Sequence, residues 1–350
     1  MLKRLSEEGV EVTVLCDKPL EGVEWHTLAD FHNVVIRHFP MPRGISPLGL
    51  FRSWWQLQRI VQKEQPQVIH AHFSIPALLL AFIRTKALRM ATFQGLYHTQ
   101  NKGLKAKVVG VLERFSIRRM DKAYVVSNYD KVRVRSTKLH VQPGYGFGCV
   151  KENFNPTVFE NVNSLRSKLG LPEDKILLLF TGRYVPFKGF DILPAILDTL
   201  NNDSFVLVTC GVEDALHPVA NTFKASHQWI DLGWRQDIAE LMFCADIFLF
   251  PSLREGMPVS LMESMCMALP AVVAPVRGSS ELIEHRSTGW IVEQHTPQHY
   301  AQAIEILVNN SELYNAIKSN LRVFAPELDR KHFVKWQVEE YWALMRGTDQ

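Results

Sequence analysis

Two glutamates, with seven residues between them, lie in a stretch that combines an apolar run, a glycine and a proline. Glu255 and Glu263 belong to the segment PSLREGMPVSLMESM. Gly256 follows the apolar run at 246–250, and Pro258 is a residue favoured in the first turn of a helix. We therefore expect Glu255 in a loop and Glu263 inside the helix that follows.

The start of that helix could bind an anion, because its first amides have no partner within the helix and the helix dipole is positive there. Upstream, the segment TGRYVPFKGF supplies Arg183 and Lys188. The carboxylates would accept hydrogen bonds from sugar hydroxyls on either side of a diphosphate. With a rise of 1.5 Å per residue, Glu263 lies ~7 to 8 Å beyond Pro258, which suits the two sugars. The pattern predicts a diphosphate-sugar site.

Each of these residues also has an ordinary structural interpretation. Glu255 could be a first-turn acid favoured by the helix dipole, Glu263 a solvated helix position, and Arg183 and Lys188 surface loop charges. Taken singly, these alternatives are the commoner case. Their joint arrangement favours the diphosphate-sugar site. A strand is followed by Gly-Arg, a spacer and Lys-Gly, and a later strand is followed by Glu-Gly and a helix.

The length and composition suit a two-domain protein of the cytoplasm. A chain of 350 residues is long enough for two domains of ordinary size. The longest apolar stretch, at 75–83, is far shorter than a membrane-spanning helix, and no signal peptide opens the sequence. The five cysteines are scattered, so we expect them to be reduced. His70 and His72 lack further ligands nearby, and we expect no metal.

The charge is unevenly distributed. Residues 1–150 hold 22 Lys and Arg against 11 Asp and Glu, and the positive charge is densest in the region 102–138. Apolar residues interleave with these charges, which predicts an amphipathic surface for an anionic membrane, at the inner face of the plasma membrane. A solvated helix face explains the pattern equally well. No nucleic-acid motif accompanies the charge, so we expect no nucleic-acid partner.

Apolar strands alternate with helical segments along the whole chain. This rhythm predicts parallel sheets covered on both faces, and hence two doubly wound α/β domains joined by a hinge near 142–156. Ligands of such folds bind at the carboxyl ends of the strands, so we expect a crevice between the domains. The predicted strands are 10–16, 33–39, 67–73, 90–95 and 122–127, then 176–182, 205–211, 228–233, 246–252 and 270–276.

The second half of the chain resembles a known family. The segments GRYVPFKG, DLGWRQD, LFPSLREGMPVSLMESMCMALPAVV and GSSELIEHRSTGWIV resemble the donor domain of retaining glycosyltransferases of family 4. The resemblance covers 171–295 closely and the N-terminal half more weakly. It implies the GT-B fold, in which two Rossmann-like domains face a central cleft. The predicted domains are an acceptor-side domain at 1–155, a donor domain at 156–327, and a segment at 328–350 whose helix crosses back to the first domain.

The resemblance also assigns roles to residues. It implies that Arg183 and Lys188 hold the diphosphate and neutralise the leaving group, that Glu263 binds the ribose, and that Glu255 contacts the donor sugar. The donor site would further include Gly182, Gly211, Gly233, Trp234, Gly256, Met257 and Pro258. The acceptor or sugar side would include Gln94, His98, His72 and Ser127.

The implied activity is transfer of a sugar from a nucleotide-diphosphate sugar, with UDP or GDP as the expected nucleotide, to a lipid-linked or saccharide acceptor. Relatives perform such reactions in the synthesis of bacterial lipopolysaccharide, capsule or exopolysaccharide. We expect no cofactor and no metal, because the chain contains no Asp-any-Asp sequence to bridge a metal to the diphosphate. A hexosyl transfer with retention, without a protein nucleophile, is the expected mechanism.

Two departures from the family pattern concern the N-terminal half. The opening segment MLKRLSEEGVEVTVLC resembles the end of the first family helix and the second strand, so the first strand is expected to be missing from its sheet. Many relatives have histidine where this chain has Gln94, which cannot exchange a proton near neutral pH. His98 could substitute, or it could be a plain loop residue. A non-catalytic nucleotide-sugar-binding module is therefore the alternative function, and an epimerase is a weaker third.

Overall fold

The computed structural model describes residues 1–17, 33–42, 46–212 and 228–346. They form an α/β protein in which every strand pair within a sheet is parallel. The chain divides into unit 1, made of 1–143 and 333–350, and unit 2, made of 144–332. The predicted class of two parallel α/β domains is confirmed. Positions 347–350 of the predicted C-terminal segment lie outside the described residues.

The described part of unit 1 contains six strands. Strand β1 pairs with β2, and β3 to β6 form a four-stranded sheet in sequence order. Within the described ranges no strand joins β1 to β3. The strands are β1 (Val12–Cys16), β2 (Val34–His38), β3 (Val68–His72), β4 (Leu88–Phe93), β5 (Lys122–Val125) and β6 (Leu139–Val141). The helices are α1 (Leu2–Glu7), α2 (Pro47–Glu64), α3 (Ser74–Ala81), α4 (Tyr97–Gln100), α5 (Leu104–Arg119) and α6 (Asn128–Arg133).

Unit 2 is built around one six-stranded sheet. Its strands are β7 (Ile176–Thr181), β8 (Phe205–Cys210), β9 (Trp229–Asp231), β10 (Ile247–Phe250), β11 (Ala271–Val273) and β12 (Trp290–Ile291). The helices are α7 (Val162–Leu169), α8 (Leu193–Leu200), α9 (Ile238–Cys244), α10 (Val259–Cys266), α11 (Ser279–Leu282), α12 (Pro297–Asn309) and α13 (Ser311–Phe324). Short 3₁₀ helices lie at Pro156–Val158, Pro186–Lys188, Phe190–Ile192 and Ala325–Leu328.

The order of the strands in unit 2 creates a switch point. The sheet runs β12-β11-β10-β7-β8-β9, so the chain builds outward from β7 on one side and then returns to build outward from its other side. All six residues of β8 and all four of β10 are buried, as expected for strands covered on both faces. Loops at the carboxyl ends of β7 and β10 therefore diverge, which opens a crevice above the sheet.

Helix α14 (Arg330–Arg346), at the end of the described residues, connects parts of unit 1 that are distant in sequence. The Trp342 indole donates to a carboxylate oxygen of Glu8 at 2.7 Å, just after α1. The Tyr341 hydroxyl lies 2.6 Å from Nδ1 of His70 on β3. The helix thus contacts the segment that precedes β1 and the four-stranded sheet of this unit.

The glycine-rich segment at 142–156 is packed closely against the start of α14. A Cβ on Gly148 would lie 2.7 Å from the Cα of Arg330, so only glycine fits. The Cys149 amide donates to the Leu328 carbonyl at 2.7 Å, and the Arg330 amide donates to the Cys149 carbonyl at 2.8 Å. From Gly144 onward this segment belongs to the body of unit 2.

No helix within the described part of the chain is both long enough and apolar enough to span a bilayer. Of the five cysteines, which are all free thiols, Cys149, Cys210, Cys244 and Cys266 are buried in unit 2 and Cys16 is half-buried.

Candidate active site

The residues predicted from the second half of the sequence gather at the carboxyl edge of the unit 2 sheet. Gly182 to Lys188 follow β7, Gly211 follows β8, and Ser252 to Gly256 follow β10. Because β7 lies between β8 and β10, these three loops are neighbours at the switch point. Two hydrogen bonds tie the β10 loop to the β7 loop: the Leu253 amide donates to the Phe187 carbonyl at 2.9 Å, and the Ser252 hydroxyl to the same oxygen at 3.3 Å.

An ion pair joins these two loops. Nζ of Lys188 lies 2.7 Å from Oε1 of Glu255, and the two side chains are 25% and 10% exposed. The same carboxylate oxygen accepts a hydrogen bond from the Ser252 hydroxyl at 2.5 Å. Glu255 lies in a loop, as its sequence context predicted. The sequence predicted that Lys188 and Glu255 share one site, but not that they form a direct pair.

Glycines allow the backbones of this edge to approach each other. A Cβ on Gly211 would lie 1.7 Å from the carbonyl oxygen of Gly182, so no other residue fits there. Gly189 has φ +71°, and a Cβ on it would lie 2.2 Å from the Pro251 carbonyl. These contacts bring the ends of β7, β8 and β10 close enough for one small ligand to reach all three loops.

Arg183 presents a positive charge beside this pair of loops. Its side chain is exposed and lies over the Phe187 ring, 5.2 Å from the centroid. Among the described residues, no carboxylate lies within ion-pair distance of its guanidinium. A cation of this kind can bind a phosphate without first giving up a partner.

The loop after β9 contributes Gly233 and Trp234. Gly233 has φ +62°, its amide donates to Oδ1 of Asp231 at 3.1 Å, and its carbonyl accepts from the Gly211 amide at 2.8 Å. The buried Tyr184 hydroxyl donates to the same Asp231 oxygen at 2.5 Å. Trp234 is 57% exposed at this edge. A broad, accessible aromatic surface of this kind suits a nucleotide base.

Glu263 lies inside α10, as predicted, and is the fifth residue of the helix. Burial raises the pKa of this carboxyl, and the Arg330 guanidinium opposes that rise. No side-chain hydrogen bond engages it within the described residues. A half-buried carboxylate with free acceptor capacity is suited to bind hydroxyls of a ligand.

The start of α10 corrects one detail of the predicted site. Pro258 is the N-cap and lies one residue before the helix, rather than in its first turn. Proline has no N–H, so Pro258 cannot donate to a phosphate or a sugar. The first helical hydrogen bond runs from the Met262 amide to the Pro258 carbonyl, which leaves the amides of 259–261 without partners in the helix. Of the predicted loop residues, Gly256 and Met257 retain backbone donors.

Sequence reasoning missed two residues that position the β10 loop. The buried Arg277 donates from Nε to the Glu255 carbonyl at 2.8 Å. Gly278 has φ +79°, and a Cβ on it would lie 2.5 Å from the Gly256 carbonyl. Both follow β11, whose carboxyl end lies beside that of β10. Their position after a strand of the same sheet was the signal that could have found them.

The acceptor-side candidates lie in unit 1, at or after the carboxyl ends of β3, β4 and β5. Nε2 of Gln94 is buried and has no hydrogen-bond partner among the described residues. His72 stacks on His70, with ring centroids 4.2 Å apart, and burial lowers its pKa. Ser127 is fully buried and caps α6 by accepting from the Tyr129 amide at 3.1 Å. Gln94 thus presents an unsatisfied donor, whereas Ser127 has a structural role.

His98 belongs to a buried polar network rather than to a plain loop. Its Nδ1 lies 2.5 Å from a carboxylate oxygen of Glu113, which is 1% exposed. Glu113 also accepts from the Ser74 hydroxyl at 2.8 Å and the Tyr97 amide at 3.0 Å. These hydrogen bonds lower the pKa of Glu113 against the opposing effect of burial. A Cβ on Gly110 would lie 2.8 Å from His98, so this glycine makes room for the ring.

Two family models together match most of the chain. The model described as "Glycosyl transferases group 1" matches residues 161–324, and the model described as "Glycosyltransferase Family 4" matches 1–143. The chain is a glycosyltransferase with a family 4 domain followed by a group 1 domain. The resemblance to glycosyltransferases inferred from the sequence motifs is confirmed, including its weaker part in the N-terminal half.

Curated relatives and solved structures agree with this assignment. An Escherichia coli protein named UDP-Gal:alpha-D-GlcNAc-diphosphoundecaprenol alpha-1,3-galactosyltransferase is 25% identical over 344 residues, covering 91% of this chain and 85% of that protein. N-acetyl-alpha-D-glucosaminyl L-malate synthase of Bacillus anthracis is 22% identical, covering 98% and 92%. Anabaena Alr3699/HepE in complex with UDP has a TM-score of 0.78 at 17% identity, covering 98% and 94%. The fold of this glycosyltransferase is therefore GT-B.

Proposed function

We propose that this glycosyltransferase transfers a hexose from a UDP- or GDP-sugar to a lipid-linked or saccharide acceptor, with retention of configuration, in the synthesis of a bacterial surface polysaccharide. The observation that carries the proposal is the Lys188–Glu255 pair at the switch point of unit 2, beside the exposed Arg183. Cations and a carboxylate at one point match a substrate in which a diphosphate is joined to a polyhydroxylated sugar.

Each site residue has a separate task in this proposal. Arg183 and Lys188 bind the diphosphate and stabilise the charge that develops as it leaves, which is the largest expected contribution to catalysis. Glu255 accepts hydrogen bonds from the donor sugar. Glu263 accepts from the ribose hydroxyls, and Trp234 lies against the base. Gly211 allows the loops after β7 and β8 to approach each other, because a Cβ on it would lie 1.7 Å from the Gly182 carbonyl oxygen.

The chemical step requires no nucleophile from the protein. The bond between the anomeric carbon and the phosphate oxygen breaks, and its electron pair leaves with the diphosphate. The acceptor oxygen then bonds to the same face of that carbon, and its proton passes to the departing phosphate oxygen. The two cations stabilise the leaving diphosphate throughout, so we propose that no metal ion takes part.

We assign the acceptor to the carboxyl edge of unit 1. The unsatisfied Nε2 of Gln94 can donate to a hydroxyl of a sugar. His98, oriented by Glu113, is available to bind a second acceptor hydroxyl. The E. coli relative is named for transfer to a diphosphoundecaprenol-linked sugar, which supports a lipid-linked acceptor here. The Anabaena neighbours crystallised with UDP and with UDP-glucose support a uridine donor.

Helix α5 supports association with an anionic membrane at its cytoplasmic face. Leu104, Val108 and Val111 are exposed, and their spacing places them on one face with Phe115. The exposed Lys105, Lys107, Arg114, Arg118 and Arg119 flank this stripe. An apolar stripe bordered by basic residues is the pattern of helices that lie in a membrane interface.

A ligand screen followed by a transfer assay tests the proposal. We expect a UDP- or GDP-sugar to raise the unfolding temperature, since a ligand that binds only the folded state stabilises it by ~2.7 kcal/mol at 100 times its Kd. With a polyprenyl-diphosphate sugar as acceptor, the same donor should then be consumed, and its anomeric configuration should persist in the product. Stabilisation without transfer to any acceptor would instead support the non-catalytic module, and inversion would refute retention.

A further inference from the structure

Unit 1 contains a large apolar cavity that lies away from the predicted acceptor residues. Its volume is about 770 Å³. Helices α2 and α3 form its apolar wall, with Phe51, Trp54, Leu78 and Phe82 among the lining residues. Arg89, at the start of β4, and Arg119, at the end of α5, also line it. The cavity therefore lies towards the amino ends of these strands, whereas Gln94 and Ser127 lie at the carboxyl ends.

Three guanidinium groups give this apolar cavity a positive border. Arg84 and Arg119 are exposed, and among the described residues no carboxylate lies within ion-pair distance of either of them or of Arg89. Arg89 donates to the Ile83 carbonyl at 2.8 Å and to the Arg119 carbonyl at 3.5 Å, whereas its buried Nε has no hydrogen-bond partner in the described part of the chain. A cavity with apolar walls and an uncompensated cationic border matches a ligand with an apolar chain and an anionic head group.

The border of the cavity is continuous with the apolar stripe of α5. The Phe82 ring, which is 54% exposed, packs against Phe115 with centroids 5.2 Å apart. Arg119 lies over the same Phe115 ring at 5.5 Å. On the other side, Phe51 and Trp55 of α2 are exposed at 60% and 47%. Large exposed apolar side chains around a cavity mouth, next to basic residues, are typical of a surface that enters a membrane.

We propose that this cavity binds one anionic phospholipid of the membrane, with an acyl chain between α2 and α3 and the phosphate at Arg84, Arg89 and Arg119. The proposal rests on the membrane association described above and adds a specific lipid site to it. The indole N–H of Trp54 donates to the Phe82 carbonyl at 3.2 Å. This hydrogen bond joins α2 to the residue after α3, and the acyl chain would enter the cavity beside it. Bound lipid would anchor unit 1 independently of the donor site.

A soluble lipid analogue separates the contributions of chain and charge. Monododecyl phosphate, used below its micelle concentration, should bind the full-length protein in calorimetry. Inorganic phosphate, which lacks the chain, and dodecyl maltoside, which lacks the charge, should bind at least ~10-fold more weakly, because each loses one class of contact. Equal binding of either control compound would overturn the proposal.

Two variants locate the binding in the cavity. Two variants should each lower the affinity for monododecyl phosphate by ~10-fold or more: the double variant Arg84→Gln/Arg119→Gln and the single variant Phe82→Glu. The matched control Arg52→Gln/Lys63→Gln removes two exposed charges from α2 outside the cavity and should bind as the parent does. Folding of all three is checked by thermal unfolding, since every substituted residue is exposed. Equal weakening by the control would refute the site.

Vesicle flotation distinguishes this proposal from the proposed function. Vesicles containing phosphatidylglycerol should retain the parent protein better than vesicles of phosphatidylcholine alone, and Phe82→Glu should reduce that retention. Retention of both proteins alike would support membrane association through α5 and refute the lipid site. Binding of monododecyl phosphate by a protein that transfers no sugar would support the lipid site and count against the proposed activity.

Discussion

The pair formed by Lys188 and Glu255 allows one substitution to test the assignment of the donor site. Lys188→Ala removes the ammonium that lies 2.7 Å from the Glu255 carboxylate. Loss of one preorganised group that stabilises transition-state charge lowers turnover by ~10² to 10³, or about 2.7 to 4 kcal/mol. Affinity for the nucleoside diphosphate should fall ~10- to 100-fold, as expected for a lost hydrogen bond to a charged group worth about 1.5 to 3 kcal/mol.

The effect on the folded protein should be smaller and should show coupling. After Lys188→Ala, Glu255 keeps its hydrogen bond from Ser252 at 2.5 Å, so its carboxylate is not left wholly unpaired. Glu255→Gln keeps the shape of the side chain and one acceptor oxygen, but it removes the charge and replaces the other oxygen by an NH₂ donor. Because the two residues touch, unfolding free energies of the single and double variants should differ from additivity by about 0.5 to 3 kcal/mol.

Steady-state kinetics with the donor identified by thermal screening, and urea unfolding without it, provide the measurements. Lys168→Ala is the matched control, because Lys168 is an exposed lysine of α7 in the same unit. The control should retain the parent turnover number. If Lys188→Ala also retains it, the assignment of Lys188 to the leaving group is wrong, whatever the unfolding data show.

Three further predictions address the backbone, the buried carboxyl and the metal. Gly170→Ala and Gly189→Ala both place alanine at a φ near +70°, which costs ~1 to 2 kcal/mol, but only Gly189 faces a Pro251 carbonyl 2.2 Å from the new Cβ. In urea denaturation, Gly189→Ala should therefore lose ~1 to 3 kcal/mol more of the free energy of unfolding than Gly170→Ala. Equal losses in the two variants would show that the surrounding backbone relaxes to remove the clash. Burial raises the pKa of Glu263, so the folded state favours the protonated carboxyl more than the unfolded state does. The contribution of Glu263 to stability is therefore present at low pH and is lost as the pH rises to neutrality. Glu263→Gln should thus be at least as stable as the parent in urea at pH 7 and yet bind nucleotide ~10-fold more weakly; a destabilised variant with parent affinity would contradict both. Dialysis against EDTA should leave turnover unchanged, and an activity restored only by magnesium or manganese would refute the metal-free mechanism.

The regular elements with a clear hydrophobic pattern were predictable from the sequence. Ten predicted strands all correspond to observed strands, and the continuous apolar runs of β8, β10 and β11 match their burial on both faces. The two strands that were not predicted, β6 and β12, contain three and two residues. Segments so short carry no period, so only pairing with a neighbouring strand defines them.

The candidate site was predictable where one loop carries the signal and not where several loops converge. Glu255 and Lys188 were found because each follows a strand and borders a glycine. Arg277 was not, because its role depends on a main-chain carbonyl of another loop. The network of His98 and Glu113 spans 15 residues and needs the tertiary packing of α5, which no local pattern encodes. For the same reason the apolar cavity between α2 and α3 left no trace in the sequence motifs.

The division of the chain at 143/144 and again at 332/333 makes unit 2 an insertion within unit 1. Near the two junctions the backbone segments are hydrogen-bonded to each other. The Cys149 amide donates to the Leu328 carbonyl at 2.7 Å, and the Arg330 amide donates to the Cys149 carbonyl at 2.8 Å. The two ends of unit 2 therefore lie close together, and the hydrogen bonds between them would remain if unit 2 were excised from the chain. Unit 1, in contrast, includes the part of α14 beyond residue 332, which is synthesised after unit 2. Unit 2 can therefore complete its fold before unit 1 has received α14, and the corresponding unit of a relative could be exchanged through two nearby cuts.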